Sequence, residues 1–179
     1  RNNMLLHEKL GLAIQFPQGW RVQNRPDRVV ALSPQGDALV ELHPGPKHDK
    51  PLETLQKGLK LDAGARYDSG KLSGYPAAFA AGAQQGKPVV AAAVVFSGTQ
   101  YLIAGMAKDK PTYERERSAL RAAINSFRSI TPAEKQAARP YVLRLVTAQP
   151  GMTMAGLARQ SPLGADAESQ LRLMNDLYP

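Results

Sequence analysis

Three short stretches bring chemistry-bearing side chains close together. The first is "HEKLG", His7 to Gly11. It opens like the HExxH helix of zinc proteases, where two histidines one helical turn apart aim two ring nitrogens at one metal. Gly11 stands where the second histidine is required, so the stretch reads as a solvated segment ahead of the first strand. The second is "HPGPKHDK", which gathers His43, His48 and Asp49. Its prolines and glycine make a loop without the supporting partners that ordered metal sites need. The third, "GAQQGKP" from Gly82 to Pro88, has the look of a phosphate loop. That loop needs four residues between its glycines, and Ser or Thr after the lysine to hold magnesium. Here three residues intervene and Pro88 follows Lys87, so a hairpin turn is expected.

The chain has no cysteine, which excludes disulfides, thiolate metal sites and cysteine nucleophiles. It also lacks the GxSxG elbow of serine hydrolases. Residue types and spacing therefore assign no catalytic residue, no cofactor and no metal ligand. The lone Trp20 has two possible uses, stacking on a sugar or membrane interface and closing a sheet edge. Its place in "PQGWRV", just after a turn, favours the second, since Trp is usually largely buried.

With 23 Lys and Arg against 15 Asp and Glu, the net charge of +8 suits an anionic environment or simple solubility. The basic residues are scattered, without the aromatic-interleaved clusters of nucleic-acid modules, so no nucleic-acid partner is expected. The longest apolar run, "VVAAAVVF", is far shorter than the ~20 residues of a membrane helix. No transmembrane segment and no signal peptide is expected, and a start at Arg1 reads as that of a processed or excised piece.

The elements that must position any site come first as short strands. Apolar residues alternate at Leu12, Ile14 and Phe16. A Pro17-Gln18-Gly19 turn leads to a strand from Trp20. Val29 to Leu32 and Ala38 to Leu42 flank a second turn at Pro34 to Asp37. A helix follows with Pro51 in its first turn, Leu52, Leu55 and Leu59 on one face, and Gly64 at its end. Strands are then expected over Ala65–Leu72, Tyr75–Gln84, Pro88–Phe96 and Gln100–Ala107, turning at Ser73-Gly74, Gln85-Gly86 and Ser97-Gly98. Val89 to Phe96 is apolar on both faces and belongs in mid-sheet with a cover on each side. The covers are the Leu52 to Lys60 helix and the helix in "TYERERSALRAAINSFRS", with its stripe of Tyr113, Leu120, Ile124 and Phe127. One core should hold Phe16, Trp20, Val94, Phe96, Leu120, Ile124 and Phe127.

These elements make an α+β domain over residues 1–130, an antiparallel sheet flanked by helices. Residues 131–140 form a helical linker, opened by a capping box of Thr131 and Glu134 and closed by Pro140. Residues 141–179 form a strand, a helix capped by Thr153, and a second helix bearing Leu171, Met174 and Leu177. A unit of about 40 residues has little core of its own.

Two family resemblances rest on these residues. "GLAIQFPQGWRV", the later hairpins and "AINSFRSI" resemble a PsbP-like domain. "YVLRLVTAQPGMTMAGLARQS" with "LRLMNDLYP" resembles a LysM module through Pro150, Gly151, Thr153, Leu157, Ala158, Leu173, Asn175 and Leu177. Met152 departs where that family usually has Asp, and the closing strand would follow Pro179. The combination resembles the C-terminal region of BepA-like, TPR-containing bacterial zinc metallopeptidases. This implies a periplasmic or cell-envelope location and a zinc-dependent catalytic domain upstream, with no metal ligand in this chain. The expected function is a non-catalytic accessory region whose partners are the upstream protease domain and envelope proteins. The alternative is binding of N-acetylglucosamine glycan, as in peptidoglycan, through Gly151, Met152, Thr153, Met154 and Asn175. In that reading backbone groups of the turn bond the sugar, and the two methionines offer adaptable apolar contact.

Overall fold

The structure is a computed structural model and describes residues 3–47, 50–137, 146–147, 149–161, 163–175 and 177. The chain divides into two compact units, Arg1–Ala138 and Arg139–Pro179. The first is built on a seven-stranded antiparallel sheet in the order β3-β4-β5-β9-β8-β7-β6. Its strands are β3 (Arg21–Asn24), β4 (Val29–Leu32), β5 (Ala38–Pro44), β6 (Arg66–Leu72), β7 (Tyr75–Gln84), β8 (Lys87–Phe96) and β9 (Thr99–Ala107). A second sheet of β1 (Met4–His7), β2 (Leu12–Gln15) and β10 (Arg128–Ser129) has β2 in its centre. Two helices complete the main body, α1 (Pro51–Gly58) and α2 (Lys110–Asn125), and α3 (Pro132–Ala137) follows.

Antiparallel hairpins run through the sheet because the turn chemistry demands them. Ser73-Gly74, Gln85-Gly86 and Ser97-Gly98 all have positive φ at both central residues. That is the geometry whose twist matches paired strands, and glycine in second place removes most of its steric cost. The expected turns therefore fall in place, and the β7–β8 register closes on Gln84 opposite Lys87.

Each face of β8 is covered. One cluster joins Val90, Ala92, Val94 and Phe96 with Leu12, Ile14, Phe16, Trp20, Leu120, Ile124 and Phe127, which includes every expected core residue. Phe96 and Phe127 meet edge to face at 5.7 Å. The other cluster packs Leu55 and Leu59 of α1 on Ala78, Ala80, Ala91, Ala93, Leu102 and Ala104. Alanines on this face let the short helix sit close, while the larger residues face α2 and the small sheet. Each fully buried large side chain contributes roughly 1.5–3 kcal/mol.

His7 does not precede the first strand; it ends β1, which pairs with β2 from Met4–Gln15 to His7–Leu12. "HEKLG" is therefore the turn of that hairpin, where the Gly11 N–H donates to the His7 carbonyl at 2.8 Å. The sheet expected as one is two, because β2 pairs with β1 and β10 instead of β3. Helix α1 stops at Gly58 rather than running to Gly64. Tertiary bonds end it: Gln84 Nε2 donates to the Leu59 carbonyl at 2.7 Å, and the Asp62 N–H donates to that of Ala83 at 2.8 Å. Phe127 lies beyond α2, which ends at Asn125.

The Thr131–Glu134 capping box is present in both directions, at 3.2 and 2.9 Å. In the second unit, α4 (Met154–Gln160), a 3₁₀ turn (Gly164–Asp166) and α5 (Ala167–Met174) are described. The strand expected over 141–149 and its stop at Pro140 lie largely outside the described residues. Of Val146, Thr147 and Gln149, none is in a strand.

Candidate functional site: a groove between α2 and the β6–β7 edge

Helix α2 lies over β5, β9 and β8, and leaves the same face of β7 and β6 partly uncovered. Registers fix what that face presents. Arg66 of β6, Ala81 of β7 and Val90 of β8 stand in one row, and Asp68, Phe79 and Ala92 in the next. Paired residues of an antiparallel sheet share a face, so the side chains of both rows point towards α2. From α2, residues 121, 124 and 125 face this region at the spacing of one helical side.

The result is a groove of about 280 Å³ lined by Arg66, Asp68, Phe79, Ala81, Arg121 and Asn125, with Val90 and Ile124 beneath. A second hollow of about 370 Å³ continues it past Tyr113, Gly82 and Pro88, and shares Arg66, Ala81 and Arg121. Phe79 and Ala81 are only half-buried, so the floor is apolar and reachable.

The charges along the groove are unequal. Other arginines of α2 are matched: Arg115 donates to Asp37 at 2.7 Å and to Glu116 at 2.8 Å, and Arg117 pairs with Glu114 at 3.4 Å. The Arg115 hydrogen bond holds the Asp37 carboxyl below the usual range. Arg66 and Arg121, both exposed, have no ion pair among the described residues. Asp68 stands on the same wall and accepts the Ser69 N–H at 2.9 Å.

A larger hollow of about 430 Å³ on the opposite side of the sheet lies beside α1 and β5. Its cations are paired: Arg28 bonds Glu41 at 3.1 Å, and Lys57 lies 3.5 Å from Glu53. The groove under α2 is therefore the better receiver of an external charge.

Among the described residues, those singled out by spacing are not assembled into a site. His7 accepts the Leu10 N–H at 3.3 Å, and His43 contacts the Pro44 carbonyl at 3.0 Å, while His48 and Asp49 lie outside the described residues. Among the described residues no three His, Asp or Glu side chains are grouped to hold a metal. In the loop Gly82–Pro88, the amides of Gln85 and Gly86 donate to the Asp62 carboxylate. Trp20 is buried.

In the second unit, Gly151, Met152 and Thr153 form the turn ahead of α4, and Met154 begins that helix. Thr153 caps it by accepting the Gly156 N–H at 3.1 Å. Asn175 lies instead at the end of α5, where its amide donates to the Leu171 carbonyl at 2.8 Å. Four of the five candidate glycan residues are thus contiguous, and the fifth is used in capping.

No protein-family model matches the chain, and no curated protein matches it by sequence. Solved structures do match. The solution structure of cyanobacterial PsbP (CyanoP) from Synechocystis sp. PCC 6803 aligns with 71% of this chain and 91% of its own, at a TM-score of 0.51 and 14% identity. The fold is PsbP-like. Weaker likenesses include the Ran-binding protein Mog1p of Saccharomyces cerevisiae and LpqN of Mycobacterium tuberculosis. Mog1p has a TM-score of 0.47 and 11% identity over 74% of this chain and 97% of its own. LpqN, involved in cell envelope biogenesis, has 0.39 and 18% over 68% and 83%. At these identities the likeness concerns architecture. The PsbP-like fold accounts for the α+β class expected from sequence, and no described helix is long and apolar enough to cross a membrane.

The groove residues Arg66, Phe79 and Arg121 are not legible as a set, since β6 and α2 are brought together only by sheet register and helix placement. The available signal was local. Phe79 is the one large residue in "AAFAAGA", so small neighbours on either side must leave space beside it.

Proposed function

We propose that this chain is a non-catalytic interaction region of a cell-envelope zinc metallopeptidase, and that the α2–β6 groove receives its partner. The observation that carries the reading is the pair Arg66 and Arg121, in no ion pair among the described residues and set beside an apolar floor. Exposed apolar surface next to arginines held in no ion pair is what a binding site offers and what a purely structural sheet face does not require. The parent class rests on the resemblance of the PsbP-like and LysM-like segments taken together. Zinc belongs to the upstream catalytic domain in this reading.

The reading frame ahead of Arg1 tests the parent class, which requires an HExxH there. The accessory role is tested in that full-length protein with Ala81→Trp, which fills the groove. Cleavage of a folded protein substrate should fall several-fold while cleavage of a short peptide stays unchanged. Equal loss on both substrates, or on neither, would contradict an accessory binding role.

A further inference from the structure

We infer that the groove binds the carboxyl terminus of a polypeptide whose last residue is apolar. This rests on the proposed role as an interaction region and names what that region takes. Arg66 and Arg121, both exposed, line both hollows together with Ala81, and we place the carboxylate there, within reach of the two side chains. Arginine suits this task because its planar donor fork matches a carboxylate's two oxygens.

The size and lining then set what accompanies the carboxylate. Phe79, Ala81 and Val90, with Ile124, offer an apolar bed within a 280 Å³ hollow. That accepts one large side chain and its neighbour.

Two polar groups separate a peptide from a fatty carboxylate. Asp68 and Asn125 stand on opposite walls, from β6 and α2. An alkyl chain laid between them would desolvate both without offering a hydrogen bond. A peptide satisfies them: its N–H groups can donate to Asp68, and the Asn125 amide can both accept and donate along the backbone. The Asp68 charge also disfavours a second acidic side chain at that end, so a terminal carboxylate fits better than an acidic run.

The test is fluorescence anisotropy with a labelled hexapeptide ending in Ala-Leu, as free acid and as terminal amide, and with decanoate as competitor. Saturable binding of the acid, at least tenfold weaker for the amide, is expected. Arg66→Gln and Arg121→Gln should each weaken the acid about tenfold with unchanged melting temperatures, and leave the amide unaffected. Equal binding of acid and amide, or binding of neither, overturns the inference. Binding of decanoate without the peptide overturns it in favour of a fatty carboxylate. The two readings fail separately. Lost peptide binding with a parent still impaired by Ala81→Trp removes only the occupant, whereas peptide binding without an upstream HExxH removes only the parent.

Discussion

The Asp62 carboxylate accepts the backbone N–H of Gly86 through one oxygen at 2.9 Å, and that of Gln85 through the other at 3.0 Å. The turn that resembles a phosphate loop thus has its amides facing an anion the protein supplies itself. Asp62 lies just after α1, so the bonds also tie that helix's exit to the β7–β8 hairpin.

Asp62→Ala should leave both amides to water and loosen this tie. A loss of about 1 kcal/mol is expected, the net scale of exposed hydrogen bonds to a charged group discounted for solvent. Thermal melting measures it, and amide exchange should quicken at Gln85 and Gly86 before elsewhere in the sheet. Uniform exchange rates would show that Asp62 does not anchor the turn.

Ile124→Asp should be far more damaging. Ile124 is buried in the cluster with Phe16, Phe96 and Leu120. A carboxylate there must be desolvated or protonated, and the side chain's packing is lost as well. About 3–5 kcal/mol of destabilisation is expected, read from urea unfolding. A midpoint unchanged within error would contradict the core assignment.

Gly105 provides a separate check of how α2 meets the sheet. A Cβ on this β9 residue would lie 3.1 Å from Leu120 Cδ2, 3.2 Å from Leu120 Cβ and 3.3 Å from Val90 Cγ2. Gly105→Ala should therefore push the helix outward, at a cost of about 1–3 kcal/mol from overpacking. The same substitution at an exposed strand position would be near neutral. A stabilised Gly105→Ala variant would mean the helix yields without loss.

What the sequence made legible, and what it did not, follows from how local each signal is. The hairpins at Ser73-Gly74, Gln85-Gly86 and Ser97-Gly98 announce themselves in adjacent residues, and so does the Thr131–Glu134 box. Val89 to Phe96 needed covers on both faces, and α1 and α2 supply them. Strand β1 was missed because "MLLH" has no alternation and is defined by its pairing with β2. The end of α1 was misplaced because Gln84, 25 positions beyond Leu59, takes that residue's carbonyl. The groove was invisible for the same reason: Arg66 and Arg121 are brought together by sheet register and helix placement, which no short window of sequence contains.

Glu134 gives a pH prediction. The Arg128 guanidinium bonds it at 2.6 and 2.8 Å, and the Thr131 N–H and hydroxyl add to it, which lowers its pKa from 4.5 to about 2. A carboxyl depressed on folding stabilises fully above its unfolded value and loses that contribution as pH falls through its folded value. The contact between β10 and α3 should therefore hold at pH 5 and weaken progressively from about pH 4.5 to 2. Carbon-detected NMR titration of the Glu134 carboxyl measures this directly. Arg128→Gln should return its midpoint towards 4.5, and an unmoved midpoint would assign the shift to the capping bonds alone.

Thr153 accepts the Gly156 N–H, which supplies one of the bonds that the first turn of α4 cannot make internally. Thr153→Ala should cost about 1 kcal/mol of local helix stability. The LysM resemblance gives the same turn a second use, with its backbone and Met152 against an N-acetyl sugar. Met152 is 47% exposed and free to make such contact. Against that use, Asn175 already donates to Leu171, and the residue that the family usually supplies at position 152 is acidic. We therefore expect chitin oligosaccharides to show no saturable binding to this chain, while Thr153→Ala lowers the helical signal of the tail. Saturable binding that Met152→Ser abolishes and Thr153→Ala weakens would reverse the assignment, making the tail a glycan reader.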